Sequence, residues 1–197
     1  MTLTLASSSK IRLQLLLAAG VPVTVRVARV DEDSIRRALL LEQANPRDIA
    51  DTLAEMKARK IAEKYPEEMV LGCDQVLDLK GKTLSKPSSP EDAFAQLCEL
   101  RGQTHKLLSA AVIYEEAKPV WRMVAEARLT MRILSNAYLQ DYVERNWNSI
   151  RDSVGSYKLE EEGSRLFSTV DGDYFTVLGL PLLPLLGYLG DRGLVAT

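Results

Sequence analysis

Hydrophobic positions recur along this chain with two different spacings, and each spacing predicts a different kind of element. Alternation of apolar and polar residues, or a short uninterrupted apolar run, is typical of strands. Four segments show it: residues 3–5, residues 21–30, residues 67–84 with a tight turn at Lys80-Gly81, and residues 105–134 with a connection at Glu115 to Pro119. The last two segments are therefore expected to contain hairpins.

Apolar residues three or four positions apart predict helices in four other segments. These segments are residues 10–19, 46–64, 89–101 and 135–146. Their ends carry the expected signals, such as Ser89 as an N-cap and Gly20 and Gly102 as terminators. The second helix is expected to bury Met56. A late apolar run, residues 177–190, is broken by prolines and predicts a buried strand end, a turn and a short helix.

The order of these elements predicts a mixed α/β fold rather than a regular series of strand–helix–strand units. A length of 197 residues suits one domain, which we expect to span residues 1–197 and to divide into two lobes. The sequence contains no GxGxxG and no GxxxxGK[ST] motif, so neither a Rossmann dinucleotide site nor a P-loop is predicted.

Composition narrows the classes of protein that suit this pattern. Hydrophobic residues make up 46% of the chain and charged residues 26%, both ordinary for a globular protein. The net charge of −2 makes nucleic acids and membrane surfaces poor partners, so any phosphate site has to be local. Because we find no signal peptide, no membrane-length apolar run and no CxxC pair, we expect a reduced, cytoplasmic location.

Three consecutive serines lie between the first strand and the first helix, within the stretch LASSSKIR. One serine is enough to cap a helix. Ser7–Ser9, followed by Lys10 and Arg12, instead combine hydroxyls, free backbone N–H groups and positive charge at one helix start. That combination is typical of an anion-binding site.

Asp74 is the most unusual carboxylate of the sequence, since it lies inside the apolar stretch MVLGCDQVL. Burying a carboxylate is costly unless another group pairs with it. The neighbouring Gly72 would let a ligand or another stretch of backbone approach closely. A strand-end aspartate at a turn is the alternative that the local sequence leaves open.

Three further charged residues are less distinctive when each is taken alone. Lys57 suits the exposed face of a helix, and Lys86 lies in a loop, where functional residues are common but so are lysines. Glu32 is expected at the end of the second strand, where capping of a following helix is its default role.

The stretch GSYKLEEEG contains three glutamates and flanking glycines, and predicts either a solvated turn or a ligand-facing loop. His105 is the single histidine of the chain, and without a second metal-ligating residue nearby in sequence we expect a structural role for it. Cys73 lacks a neighbouring base and is expected to be a small core residue rather than a nucleophile.

Eight segments of the chain occur in an order and spacing that is specific as a set. They are LASSSKIRLQLL, VDE, KARKIA, LGCDQVL, KP, RGQTHKLLSAAV, GSYKLE and DGDYFTVLGLPL. In this order they resemble the Maf-like nucleotide pyrophosphatases, and the resemblance extends from Leu3 to about Leu189.

The resemblance implies a two-lobed α/β fold, similar to the Maf and ITPase folds, around an elongated mixed sheet with a central substrate cleft. It also implies hydrolysis of a nucleoside triphosphate to a monophosphate and pyrophosphate, with a divalent metal cation, Mg²⁺ or Mn²⁺. The partner would be a small-molecule nucleotide, and a homodimer is the assembly that the family suggests.

The resemblance further assigns roles to the residues described above. Phosphate-directed roles fall to five of them: Ser7, Ser9, Arg12, Lys57 and Lys86. Asp74 would accept the proton of the attacking water. Glu32 would be its acidic partner, and both carboxylates would hold the metal.

Base selection is where the sequence departs from the commonest pattern of the family. Ile11 replaces an arginine, Gln75 a threonine and Glu160 a glutamine, and the common trio goes with dTTP and UTP. Gln75 and Glu160 resemble the YceF subgroup, which acts on 7-methyl-GTP, although that subgroup has an aromatic residue where Ile11 stands. One carboxylate can accept the N1–H and 2-amino hydrogens of guanine together, and a cationic methylated base would strengthen the pairing.

Three alternatives stay open at this point. In the first, the protein is the same kind of enzyme but acts on dTTP and UTP or on other modified nucleotides. In the second, residues 160–162 form only a solvated acidic loop and do not select the base. In the third, the fold is a nucleotide-sensing module, for example in cell-division control, without turnover. Asp74 argues against this last alternative, because a binding module needs no water-activating carboxylate.

Overall fold

The computed structural model describes residues 2–196 and has an α/β architecture. Within this range seven strands form one sheet: β1 (Leu3–Leu5), β2 (Val23–Val25), β3 (Met69–Leu79), β4 (Lys82–Leu84), β5 (Thr104–Glu115), β6 (Lys118–Met131) and β7 (Phe167–Asp171). The same range contains seven α-helices: α1 (Lys10–Ala18), α2 (Glu32–Leu41), α3 (Pro46–Ala62), α4 (Pro90–Leu100), α5 (Asn136–Ile150), α6 (Tyr174–Val177) and α7 (Leu182–Asp191). Two short 3₁₀ segments, Val154–Ser156 and Glu162–Leu166, connect α5 to β7.

The sheet is mixed, with the strand order β2-β1-β3-β5-β6-β7 and with β4 beside β3. β1 runs parallel to β2 and β3, and the other pairings are antiparallel. The predicted α/β class is therefore confirmed. The predicted domain boundaries, residues 1–197, stay a prediction.

One edge of β3 is interrupted, and this interruption positions the site. At that edge β1 pairs with residues 69–71 of β3, and β4 pairs with residues 77–79. Residues 72–76, between them, have a strand neighbour only on the other side, where they pair with β5. Side chains alternate between the two faces of a strand. Asp74 and Gln75 therefore point to opposite faces, yet both are reached through the same gap.

Three apolar clusters cover the sheet. The first packs α3 against β3 and β5, with Leu53, Val70 and Val112 at its centre. The second lies between α4, α5 and the far ends of β3, β5 and β6, and the third joins α1 and α7 to β1 and β3. The functional cleft lies where the packing is interrupted, at the gap in the β3 edge. None of the helices within residues 2–196 has the length and apolar character needed to span a membrane.

Four local expectations are corrected by the structure. The second strand is only Val23–Val25, because its partner β1 ends at Leu5, opposite Val25. Glu32 begins α2 instead of ending a strand, and Asp31 caps that helix. Met56 lies on the exposed side of α3. Residues 177–190 form no strand, because the prolines and Gly179 direct the chain into α6, a turn and α7.

Candidate active site

A cleft of about 1100 Å³ opens at the gap in the β3 edge. It is bounded by the serine loop between β1 and α1, the start of α2, the floor made by α3 and β3, the loop after β4, and the segment that follows α5. The structure brings all ten residues predicted for the site to the lining of this cleft: Ser7, Ser9, Ile11, Arg12, Glu32, Lys57, Asp74, Gln75, Lys86 and Glu160.

The floor of the cleft is a buried ion pair between Lys57 and Asp74. The two residues are 7% and 4% exposed, and Lys57 Nζ donates to Asp74 Oδ1 at 2.8 Å. Gly72 makes this possible, because a Cβ at that position would lie 2.1 Å from the Ala54 carbonyl oxygen on α3. The glycine therefore admits another backbone, α3, rather than a ligand. Asp74 is a paired carboxylate inside a strand, and the alternative of a strand-end residue at a turn is wrong.

The second oxygen of Asp74 is the chemically available atom of the floor. Asp74 Oδ2 is buried and has no hydrogen-bond partner among the described residues. Lys57 holds Oδ1, which fixes the orientation of the carboxylate, and Arg36 Nη2 lies 3.9 Å from Oδ2. A buried acceptor without a donor is costly unless a ligand or water completes it. This atom is placed to take a proton.

Helix α2 brings a second carboxylate to the same lysine. Glu32, its first residue, lies 3.0 Å from Lys57 Nζ through Oε1, and its side chain is 39% exposed. One ammonium thus bridges a buried and a half-exposed carboxylate. Glu32 and Asp74 thus lie beside the same ammonium group, and their shared role at a metal stays a prediction.

Arg36 is a site residue that the sequence analysis missed. Its side chain is 12% exposed and lines the cleft, with Nη2 3.9 Å from Asp74 Oδ2. The signal that could have found it is spacing, since Glu32 and Arg36 are four positions apart and share one face of α2. Without knowing that α2 was a helix, that spacing carried no information.

The serine loop is held in shape by its own side chains. Ser9 caps α1 by accepting the Arg12 backbone N–H at 3.4 Å, and Ser7 Oγ accepts the Ser9 backbone N–H at 3.2 Å. The predicted cap is confirmed. Ser8 and the first residues of α1 also line the cleft, which is the makeup of an anion site at a helix start.

Arg12 connects the serine loop to β3 and to the turn after α6. Its Nε–H donates to the Gly179 carbonyl at 2.7 Å and its Nη1 donates to the Cys73 carbonyl at 3.1 Å. The Cys73 carbonyl belongs to the interrupted edge of β3, so the arginine supplies a donor where no strand does. Gly179 has φ +95°, and a side chain there would meet the guanidinium at 3.2 Å. Nε and Nη1 of Arg12 are thus directed to the protein, whereas its Nη2 forms no hydrogen bond within residues 2–196.

Lys10 and Lys86 are the uncommitted cations of the cleft lining. Both side chains are exposed, both line the cleft, and neither forms a hydrogen bond or ion pair within residues 2–196. Unpaired cations of this kind remain available to a bound anion.

Gln75 lies on the opposite face of β3 from Asp74. Its Nε2 donates to the carbonyls of Thr176 and Val177 at 3.2 and 2.9 Å, and to Ser109 Oγ at 3.0 Å. Backbone carbonyls only accept hydrogen bonds, which fixes the orientation of the amide. Gln75 therefore keeps its Oε1, an acceptor, for anything bound in the cleft.

The acidic loop separates into two kinds of glutamate. Glu161 accepts from Ser149 and Lys158, and Glu162 accepts from Arg145 and Asn146, so both are tied to neighbouring structure. Glu160 is exposed, lines the cleft and has no partner among the described residues. The arrangement leaves one carboxylate of the three directed at the cleft.

Three residues that could pass for reactive groups are structural. His105 is buried, donates or accepts a hydrogen bond with the Tyr157 hydroxyl at 2.7 Å, and burial lowers its pKa to about 4. Burial also raises the pKa of the Cys73 thiol to about 11, so it holds no thiolate at neutral pH. The structural roles expected for both residues are confirmed. Tyr157 is also buried, with its hydroxyl on His105, and its remaining surface contributes to the lining of the cleft.

The acidic groups of the cleft can hold a magnesium-type cation only if water and substrate phosphates supply the remaining ligands. Within residues 2–196 no group of three or more His, Cys, Asp or Glu side chains is placed to hold a metal ion. Glu32 and Asp74, which share the Lys57 ammonium, supply two carboxylates. Mg²⁺ commonly takes one or two protein carboxylates and completes its shell with water and substrate phosphates. The residues present are compatible with a metal that the substrate helps to bind.

Comparison with known proteins places this site in a wider group. The family model described as Maf-like protein matches residues 2–192. A nucleoside triphosphate pyrophosphatase of Ruegeria pomeroyi is 65% identical over 99% of this chain and 98% of its own length. The corresponding protein of Caulobacter vibrioides is 50% identical over 96% of this chain and 95% of its own. A 7-methyl-GTP pyrophosphatase of Bartonella quintana is 38% identical over 98% of this chain and 97% of its own.

Proposed function

The chain belongs to the Maf-like protein family, and we propose that it is a nucleoside triphosphate pyrophosphatase acting on the bond between the α and β phosphates. The observation that carries the proposal is the floor of the cleft. There the buried Asp74 keeps one oxygen on Lys57 and the other without a partner, beside a helix start rich in donors.

The chemistry assigned to Asp74 is general base catalysis. Lys57 binds Oδ1 and orients the carboxylate, and Oδ2 takes a proton from the water that attacks phosphorus. Proton transfer to a positioned group typically contributes about 10²- to 10⁴-fold to a rate. The products are a nucleoside monophosphate and pyrophosphate.

The phosphates bind along the opposite side of the cleft. Backbone N–H groups at the start of α1, the Ser7 and Ser9 hydroxyls and the free ammonium groups of Lys10 and Lys86 surround them. Stabilising the charge that develops on the leaving pyrophosphate contributes most of the rate enhancement in chemistry of this kind. Arg12 shapes this side of the cleft through its bonds to two backbone carbonyls, and its remaining Nη2 donors would bind phosphate.

Glu32 and Asp74 would hold a divalent cation, Mg²⁺ or Mn²⁺, together with the substrate. When bound, the cation supplies positive charge that offsets the negative charge of the triphosphate. Its binding would compete with Lys57 for the same two carboxylates, so metal affinity is expected to depend on the phosphates that complete its shell.

The base that the cleft favours is guanine, and we assign 7-methyl-GTP or a related modified nucleotide as substrate. Gln75 presents an acceptor because its amide nitrogen is directed to backbone carbonyls, and Glu160 presents a free carboxylate. Guanine offers two adjacent donors, N1–H and the 2-amino group, whereas uracil and thymine offer one beside carbonyls. The name of the Bartonella quintana relative, a 7-methyl-GTP pyrophosphatase, agrees with this assignment.

A nucleotide panel with detection of released pyrophosphate tests the proposal. We expect turnover, with kcat/KM highest for 7-methyl-GTP among 7-methyl-GTP, GTP, dTTP and UTP. Glu160→Gln should reduce that preference, and Glu161→Gln, whose side chain is held by Ser149 and Lys158, is the matched control. A preference for dTTP or UTP contradicts the base assignment alone. Binding without turnover of any triphosphate contradicts the enzymatic proposal and favours a sensing module.

A further inference from the structure

Two charged side chains in the cleft face each other without completing a bond, and each has a buried atom that lacks a partner among the described residues. Arg36 Nη1 is buried and has no acceptor among the described residues, and Asp74 Oδ2 is buried and has no donor. The nearest approach of the two side chains is 3.9 Å, between Arg36 Nη2 and Asp74 Oδ2. Hydrogen bonds between nitrogen and oxygen are typically about 2.7–3.2 Å long. The two groups therefore attract each other as charges but are too far apart to share a hydrogen bond.

The other two cations near the floor already form bonds within the protein. Lys57 binds Asp74 and Glu32, and Arg12 donates to the carbonyls of Gly179 and Cys73. Arg36 alone among these three has an unpartnered buried guanidinium nitrogen. Leaving a charged donor unpaired in a buried site costs free energy, which favours a state in which an acceptor reaches it. A guanidinium fork matches the geometry of phosphate oxygens.

Helix α2 lets this arginine adjust its position. No side chain of α2 is buried, although Ile35 and Leu39 pack partly against the cluster under α3. A helix with so few buried contacts can shift by small amounts at a low cost in packing. Arg36 also lies one turn after Glu32 on the same face of α2, so one movement would carry both side chains relative to the floor.

We propose that Arg36 is a phosphate-binding residue. In the substrate complex its guanidinium donates to non-bridging oxygens of the phosphoryl group beside Asp74, the group that the water attacks. This inference rests on the proposed function and adds a residue of α2 to the site. Arg36 meets the substrate directly, from the α2 side of the cleft.

The test is the affinity for a GTP analogue with an α,β-methylene bridge, which cannot be hydrolysed at the relevant bond. Calorimetry should show that Arg36→Ala weakens binding by about 10- to 100-fold, as expected for loss of a hydrogen bond to a charged group. Arg36→Lys should restore part of the loss, because it keeps the charge but not the fork. Arg37→Ala is the matched control, since Arg37 is exposed and bonds only to the backbone of Asp33 and to Ser34.

The outcomes separate this inference from the proposed function. Analogue binding by Arg36→Ala equal to wild type overturns it, even where wild type hydrolyses nucleotides. Unchanged binding together with an upward shift of the acid limb of kcat/KM against pH would make Arg36 a positioning residue for Asp74, which also overturns it. Weakened binding in Arg36→Ala, with no turnover by wild type, supports the phosphate contact while contradicting the enzymatic proposal. If Arg36→Ala is not folded, Arg36→Gln against Arg37→Gln provides the same comparison.

Discussion

The floor of the cleft and its α2 side, called the wall below, carry the same kinds of charged side chain but are built differently. Lys57 and Asp74 belong to α3 and β3, and both lie in a core where Ala54 and Ala58 touch the backbone at Gly72. Glu32 and Arg36 belong to α2, which buries no side chain. The floor is fixed by close packing, whereas α2 is held by the partly buried Ile35 and Leu39 and by the ion pair between Glu32 and Lys57.

The difference suggests that the floor and α2 have different roles in catalysis and in substrate binding. A general base has to be held within about 0.5 Å and 10–20° of its productive position and orientation, which requires rigid elements. Groups that meet a substrate on its arrival gain from an element with low local stability. We therefore expect substitutions in the floor to affect both stability and activity, and substitutions in the wall to affect activity alone.

The largest expected effect comes from breaking the close approach under the floor. Gly72→Ala would place a Cβ 2.1 Å from the Ala54 carbonyl oxygen and 2.6 Å from the Ala58 nitrogen, so α3 would have to move. The free energy of unfolding should fall by more than about 3 kcal/mol, the upper end for overpacked cores. Chemical denaturation measures it.

Gly187→Ala is the control for that substitution. Gly187 lies in α7, and a Cβ added there would have nothing within 4 Å, so alanine should leave stability unchanged or raise it by up to about 1 kcal/mol. Equal stability of Gly72→Ala and wild type would mean that α3 does not rest on β3 as described.

A second effect is expected from removing the cation of the floor. Lys57→Ala leaves Asp74 buried beside Glu32, and breaking a buried pair typically costs about 3–5 kcal/mol, less where the orphaned carboxylate can take a proton. Glu32→Gln in the wall should change the unfolding free energy by less than about 1 kcal/mol, as for other exposed ion pairs. Denaturation of both variants at neutral pH compares them.

Similar losses in the two variants would contradict the distinction between floor and wall. Lys60→Ala controls for removal of a lysine from α3, because Lys60 is exposed and lies outside the cleft lining. Activity offers a second comparison, since both Lys57→Ala and Glu32→Gln should lower turnover.

The sequence predicted the floor better than the wall, for physical reasons. A carboxylate among buried apolar residues is conspicuous, so Asp74 could be identified from its neighbours alone. Arg36 was missed because no helix was predicted for residues 32–41, although the apolar and polar residues of that segment separate onto two faces of the helix. The interrupted edge of β3 was equally hidden, since strand pairing joins residues far apart in sequence.

The same contrast applies to the fold: features set by neighbouring residues could be predicted, and features set by distant residues could not. Ser89, Ser9 and Ser135 cap the helices that the sequence predicts, because capping acts within three residues. Strand β7 was not predicted, since its residues are mostly exposed and it depends on pairing with β6. The orientation of Gln75 likewise follows from carbonyls about a hundred positions away.

A further effect, spread over a range of pH, concerns the buried histidine under the Glu160 side of the cleft. Burial lowers the pKa of His105 to about 4, whereas the unfolded chain has an ordinary imidazole with a pKa near 6.5. Between these values the unfolded state binds more protons, so stability is complete above about pH 6.5 and falls as the pH drops toward 4. The total loss should be on the order of 3 kcal/mol, most of it below pH 5.5.

Denaturation at a series of pH values measures this loss. His105 is the single histidine of the chain, so His105→Phe should flatten the stability curve between pH 6.5 and 5, above the range where carboxylates contribute most. A wild-type curve that is flat across that interval would mean that His105 is accessible to protons in the folded state.

The central claim is that the unpartnered oxygen of Asp74 activates water, and Asp74→Asn tests it most directly. The measurement combines pyrophosphate release with calorimetric binding of the α,β-methylene GTP analogue. Asp78→Asn is the control, since Asp78 lies on the same strand but bonds to the Gly81 backbone at the β3–β4 turn. We predict that Asp74→Asn binds the analogue like wild type and loses about 10²-fold or more in turnover, while Asp78→Asn keeps both. Turnover by Asp74→Asn close to the wild-type rate would contradict the account.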